Sequence, residues 1–98
     1  MKEMRWKNSK MTLVYYSQEN SNVLPCDVRI DGEEIVVQYD SDGPVLYIGK
    51  DLGYGHYLVE SFEEKGKASL HRAPNSQFME GFWIEDGIRG MWRIELLE

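Results

Sequence analysis

A chain of 98 residues is one domain by length. Hydrophobic types at 42% and charged types at 29% are the balance of a soluble folded domain, which excludes disordered, collagenous and membrane-spanning classes. Eleven Lys and Arg against seventeen Asp and Glu leave a net charge of −6, so the surface is not built to hold phosphate backbones and no nucleic-acid partner is expected.

Residues 1–10 carry Lys2, Arg5, Lys7 and Lys10 against Glu3. This basic stretch reads either as an arm for an acidic partner or as a solvated segment that offsets an acidic body. Met1, Met4 and Trp6 leave its structure open between a short helix and an added edge strand. The apolar run at 11–16 is shorter than the core of a secretory signal and meets a polar stretch at 17–22. No segment approaches the roughly 20 apolar residues of a membrane helix. A lone cysteine, Cys26, forms no internal disulfide, and the expected setting is cytoplasmic, with no membrane partner.

After residue 24, turn signals recur at Asp31-Gly32, Asp42-Gly43-Pro44, 53–55, Lys65-Gly66, Pro74-Asn75 and Asp86-Gly87. Their spacing of roughly 8–12 residues is that of all-β sandwiches and barrels. Between them lie runs rich in β-branched and aromatic residues, at 11–16, 26–30, 35–39, 45–48, 56–62, 68–71, 78–84 and 88–97. Such short connections join only antiparallel neighbours, because a parallel crossover needs a dozen or more residues. The expectation is an all-β, single-domain antiparallel meander of about eight strands, closed or nearly closed as a small barrel.

Two hairpins can be put in register. With Asp31-Gly32 as a two-residue loop, Ile30 faces Glu33, Arg29 faces Glu34, Val28 faces Ile35 and Cys26 faces Val37, so that Cys26, Val28, Ile35 and Val37 share the dry face. With Asp86-Gly87 as the loop, Glu80 faces Arg93, Phe82 faces Met91 and Ile84 faces Arg89 on one side. On the other side Met79 faces Ile94, Gly81 faces Trp92 and Trp83 faces Gly90. An indole across from a glycine covers bare backbone and stabilises a strand that must bend. If Trp83 and Trp92 point inward, Phe78, Phe82, Ile84 and Met91 point outward. That outward group reads as a contact in a homodimer or as a face covered by residues 1–10.

The two elements Gly81-Phe82-Trp83 and Gly90-Met91-Trp92 resemble the Gly-x-Trp closing hairpins of small calycin-like barrels, the lipocalin, avidin and fatty-acid-binding group. The resemblance implies a meander barrel that encloses a small, mostly apolar ligand. In lipocalins a Gly-x-Trp opens the first strand, whereas Trp6 here lacks the glycine.

Catalytic and metal chemistry find few ingredients. His56 and His71 are the only imidazoles, there is no Gly-x-Ser-x-Gly elbow, and Cys26 falls on a core-facing strand position, so no enzyme is expected. Two histidines fifteen residues apart match no zinc spacing, and Asp40-Ser41-Asp42-Gly43 reads as a turn, so neither metal nor cofactor is expected. Nothing brings two of Glu60, Glu63, Glu64, Glu80, Glu85 and Asp86 into one cleft. The glycine-rich stretch at 49–55 lacks the ending and the following helix of a phosphate loop and reads as a bent connection. The functional expectation is a binding protein for a small apolar or aromatic ligand, with Tyr39, Trp83 and Trp92 as wall and Tyr54 and His56 as a polar mouth. The alternative is a homodimeric interaction module whose interior is filled.

Overall fold

The computed structural model describes residues 3–16, 21–40, 43–61, 63 and 65–98. Eight strands follow in order: β1 (Glu3–Tyr15), β2 (Ser21–Asp31), β3 (Glu34–Asp40), β4 (Pro44–Asp51), β5 (His56–Ser61), β6 (Gly66–His71), β7 (Phe78–Glu85) and β8 (Ile88–Glu95). Each pairs with the next, and β1 pairs antiparallel with β8, so the meander closes into a barrel. Closure removes both edges, which in an open sheet would leave rows of unpaired N–H and C=O groups.

The strands form because their residues alternate with the period of a pleat. In β3, Ile35, Val37 and Tyr39 are buried while Glu34, Gln38 and Asp40 are exposed. The same alternation fills the barrel with Met11, Val28, Val59, Leu70, Met79 and Ile94, each at most 1% exposed.

The fifth expected strand ends at Ser61, and Phe62 lies outside the described residues, as do Met1, Lys2, Ser41, Asp42 and Glu64. Residues 3–10 form neither a helix nor an edge strand. They are the first part of β1, in which Glu3 to Trp6 pair with Asp31 to Val28 and, beyond an irregularity, Ser9 pairs with Cys26. Lys7 and Asn8 together face the single Asp27, the two-against-one arrangement of a β-bulge. One extra residue reverses the alternation, so Trp6 packs against the core before the bulge and Met11 and Leu13 after it. The buried Ser9 hydroxyl accepts from the Leu97 N–H (3.1 Å) and donates to the Trp6 carbonyl (3.1 Å), tying the C-terminal tail to the bulge.

The first hairpin departs from the expected register by two residues: Ile30 faces Ile35, Arg29 faces Val36, Val28 faces Val37 and Cys26 faces Tyr39. The loop is Gly32-Glu33, with φ of 63° at Gly32. Only the first loop residue takes positive φ, as a type II′ turn requires, and glycine adopts that conformation without steric cost. Because the displacement is even, every side chain keeps its expected face. The second hairpin has the expected register throughout, and both Asp86 (φ 49°) and Gly87 (φ 85°) take the positive values of a type I′ turn.

Candidate functional site

In a closed meander the connections alternate between the two ends of the barrel. One end carries the β1–β2, β3–β4, β5–β6 and β7–β8 connections; the other carries both termini and the remaining three. At the first end the side chains leave a pocket of about 130 Å³. Its lining comes from the inward positions nearest that end: Leu13 and Tyr15 of β1, Tyr39 of β3, Val45 and Tyr47 of β4, Trp83 and Glu85 of β7, and Ile88 and Trp92 of β8.

The rings are held in place by one another. Tyr15 meets Trp83 edge-on with centroids 5.2 Å apart, Tyr47 meets Trp92 edge-on at 5.3 Å, and Tyr39 lies stacked near Tyr47 at 6.4 Å. Both indole N–H groups are used by the wall itself. Trp83 Nε1 donates to the Met91 carbonyl at 3.0 Å and Trp92 Nε1 to the Ser69 carbonyl at 3.3 Å. The Tyr47 ring spans the interior, where its hydroxyl donates to Glu85 Oε2 at 2.6 Å, the short distance of a charge-assisted bond. Gly66 makes room for it, since a Cβ there would lie 2.1 Å from the Tyr47 hydroxyl oxygen.

The glycines facing the tryptophans act in two different ways. A Cβ at Gly90 would come within 2.6 Å of the Trp83 ring and 1.9 Å of the Val14 carbonyl, so this indole does cover its glycine. At Gly81 a Cβ would strike the Ser69 carbonyl at 1.7 Å, the same oxygen that accepts from Trp92. The bare backbone of Gly81 therefore lets β6 approach and leaves that carbonyl within reach of the Trp92 indole.

Tyr39, Trp83 and Trp92 are thus brought together, but Tyr54 and His56 are not with them. Tyr54 sits in the β4–β5 connection at the opposite end, fully exposed with φ of 59°. His56 points outward from β5 and stacks on His71 at 4.5 Å. Neither forms a mouth to the pocket. The reason is the direction of the strands: Tyr39 ends an odd-numbered strand and His56 begins one, so in an up-and-down barrel they lie at opposite ends. Tyr15, Tyr47 and Glu85 were missed, although alternation from Leu13, Val45 and Trp83 points to each of them.

On the outer surface Phe82 and Met91 are 38% and 44% exposed and lie in line with Val14 across β7, β8 and β1. Phe78 is half-buried beneath the Arg93 guanidinium, 4.1 Å from its ring, and Ile84 is half-buried as well. Residues 3–9 run along β2 and leave Phe82 and Met91 open, while Lys10 also pairs with Glu95 of β8 and lines a groove beside Phe78.

Cys26 is buried, and desolvation, with a smaller contribution from the Asp27 charge, pushes its thiol up to about 12. The Asp40 carboxylate accepts from the Gly43 N–H at 3.1 Å, and Asp51 accepts from Gly53 at 2.8 Å, which makes both acidic positions turn-forming groups. Among the described residues no three His, Cys, Asp or Glu side chains gather as a metal site.

No protein-family model, no curated protein and no solved structure matches the chain. Fold and site together define a small, closed, eight-stranded antiparallel barrel with an aromatic-lined pocket at one end.

Proposed function

We propose that the protein is a non-enzymatic binding protein that takes one compact apolar or aromatic ligand into the pocket between the tryptophan-bearing hairpin and β3–β4. The observation that carries this reading is the set of five aromatic rings that the described residues place around about 130 Å³ of space. An apolar cavity of about 150 Å³ accepts benzene, whereas drug-sized ligands need roughly 300 Å³ or more. The ligand, or the part of it that enters, is therefore one small ring or a group of similar bulk. The eight-stranded meander and the paired Gly-x-Trp elements support a calycin-like assignment, and the lone buried cysteine supports a cytoplasmic setting.

Titration with phenol, toluene, indole and benzyl alcohol, followed by tryptophan fluorescence and amide chemical shifts, tests this reading. Saturable shifts at residues 13–15, 45–47 and 83–92 are expected from at least one of them, and Val45→Trp, which fills the space, should abolish them while the barrel stays folded. No saturable response to any compound at millimolar concentration would refute it.

The exposed row of Val14, Met91 and Phe82 favours a second reading, in which two copies meet through this face as an interaction module. Sedimentation of the wild type and of Phe82→Asp distinguishes the two. A dimer that the charge splits supports the contact, because burying an unpaired carboxylate there costs several kcal/mol. A strict monomer at high micromolar concentration removes it.

A further inference from the structure

Resting on the binding reading above, the geometry points to a compact organic cation, a methylated ammonium head, as the ligand class of this pocket. The wall is aromatic, and its two indole N–H groups are already spent on the Met91 and Ser69 carbonyls, so Trp83 and Trp92 offer a ligand ring surface and no donor. Ring surfaces carry negative electrostatic potential and attract cations placed within about 6 Å, most strongly where water is excluded.

Among the described residues Glu85 is the only ionisable acid or base of the non-tyrosine lining, and its carboxylate is held at the pocket by the Tyr47 hydroxyl at 2.6 Å. Among the described residues no Lys or Arg forms an ion pair with Glu85. A carboxylate has about four acceptor positions, so one bond from Tyr47 leaves capacity for an incoming charge. The three classes of ligand then rank by charge. An anion meets Glu85 and the negative ring surfaces. A neutral ligand of the same bulk fits the ring surfaces but supplies no counter-charge to Glu85, so it binds less tightly than a cation. A cation of matching bulk satisfies the carboxylate and the rings together. The net charge of −6 further raises the local concentration of cations.

The test compares choline with its uncharged isostere 3,3-dimethylbutan-1-ol at constant ionic strength, by calorimetry and amide chemical shifts. Wild type, Glu85→Gln and Val45→Trp are used; the amide of Glu85→Gln still accepts from Tyr47, so the fold is retained. Choline is expected to bind about tenfold or more tightly than the isostere, the ratio of a desolvated cation–ring contact. Glu85→Gln should weaken choline about tenfold and leave the isostere unchanged. Equal affinities for the two compounds would overturn the cation assignment while the pocket reading stood. Choline binding that survives Val45→Trp would place it outside the pocket and overturn the assignment too. Failure of choline while the aromatic panel binds would likewise overturn the cation assignment alone, and failure of the aromatic panel would remove the binding reading on which it rests.

Discussion

Gly66→Ala offers the sharpest test of how the pocket is built, because its effect should run through one other side chain. The added methyl would lie 2.1 Å from the Tyr47 hydroxyl oxygen and 2.9 Å from its ring carbon Cζ. Tyr47 is 1% exposed and cannot move outward, so the ring must tilt into the cavity and give up its bond to Glu85. Overpacking of this kind costs about 1–3 kcal/mol, and a bond to a charged acceptor contributes about 1.5–3 kcal/mol. Gly66→Ala should then destabilise by about 3 kcal/mol, and Tyr47→Phe, which loses the bond to Glu85 without any clash, by about 2 kcal/mol. In the double variant the hydroxyl that suffers the clash is absent and the bond is lost once. Its cost should be about 2 kcal/mol, that of Tyr47→Phe alone, which makes the coupling between the two sites about 3 kcal/mol. Urea unfolding followed by tryptophan fluorescence measures all four species, and with a slope of about 1 kcal/mol/M the single variants shift the midpoint by molar amounts. Additivity within about 0.5 kcal/mol would show that Gly66 and Tyr47 do not meet and would refute this account of the pocket floor.

Cys26 should make stability depend on alkaline pH. Its folded pKa lies above the unfolded value of 9.0, so its contribution is complete below pH 9 and is lost as pH rises from there toward 12. At pH 10 the loss from this group is about 1.4 kcal/mol, and Cys26→Ala should flatten the wild-type slope between pH 8 and 10 by that amount; equal slopes would count against the buried thiol. The native thiol should also react with an aromatic disulfide reagent only as fast as the protein unfolds. At Gly90, alanine would press on the Val14 carbonyl at 1.9 Å, fixed in the β1–β8 pairing, and on the Trp83 ring at 2.6 Å, held by its bond to the Met91 carbonyl. A loss of about 3 kcal/mol is expected, which for a domain of this size lowers Tm by more than about 12 °C; a fall of under about 4 °C would show that the seam tolerates a methyl group there.

The local devices were legible in the residues. Strand existence follows from alternation over five to eight positions, and the second hairpin could be registered because Asp86 and Gly87 both suit the positive φ of its loop. The first hairpin slipped by two because Asp31, Gly32 and Glu33 allow two loop positions for one glycine, and only pairing along the whole of β2 and β3 selects between them. An even slip keeps the faces, so the inward set of Cys26, Val28, Ile35 and Val37 came out right from the wrong pairs.

Chain order and alternation thus determined the meander, the inward tryptophans and the inward Tyr39. What only tertiary structure decided depends on residues far apart in sequence. The bulge at Lys7-Asn8 lies in a strand that pairs with β2 on both sides of it and with β8 along its second half, partners that only closure brings together. Whether a space remains among Tyr15, Tyr39, Tyr47, Trp83 and Trp92 depends on the summed volumes of side chains from five strands, and on Gly66 letting one ring cross to Glu85. Alternation tells which way a side chain points. Packing in three dimensions tells what it meets there.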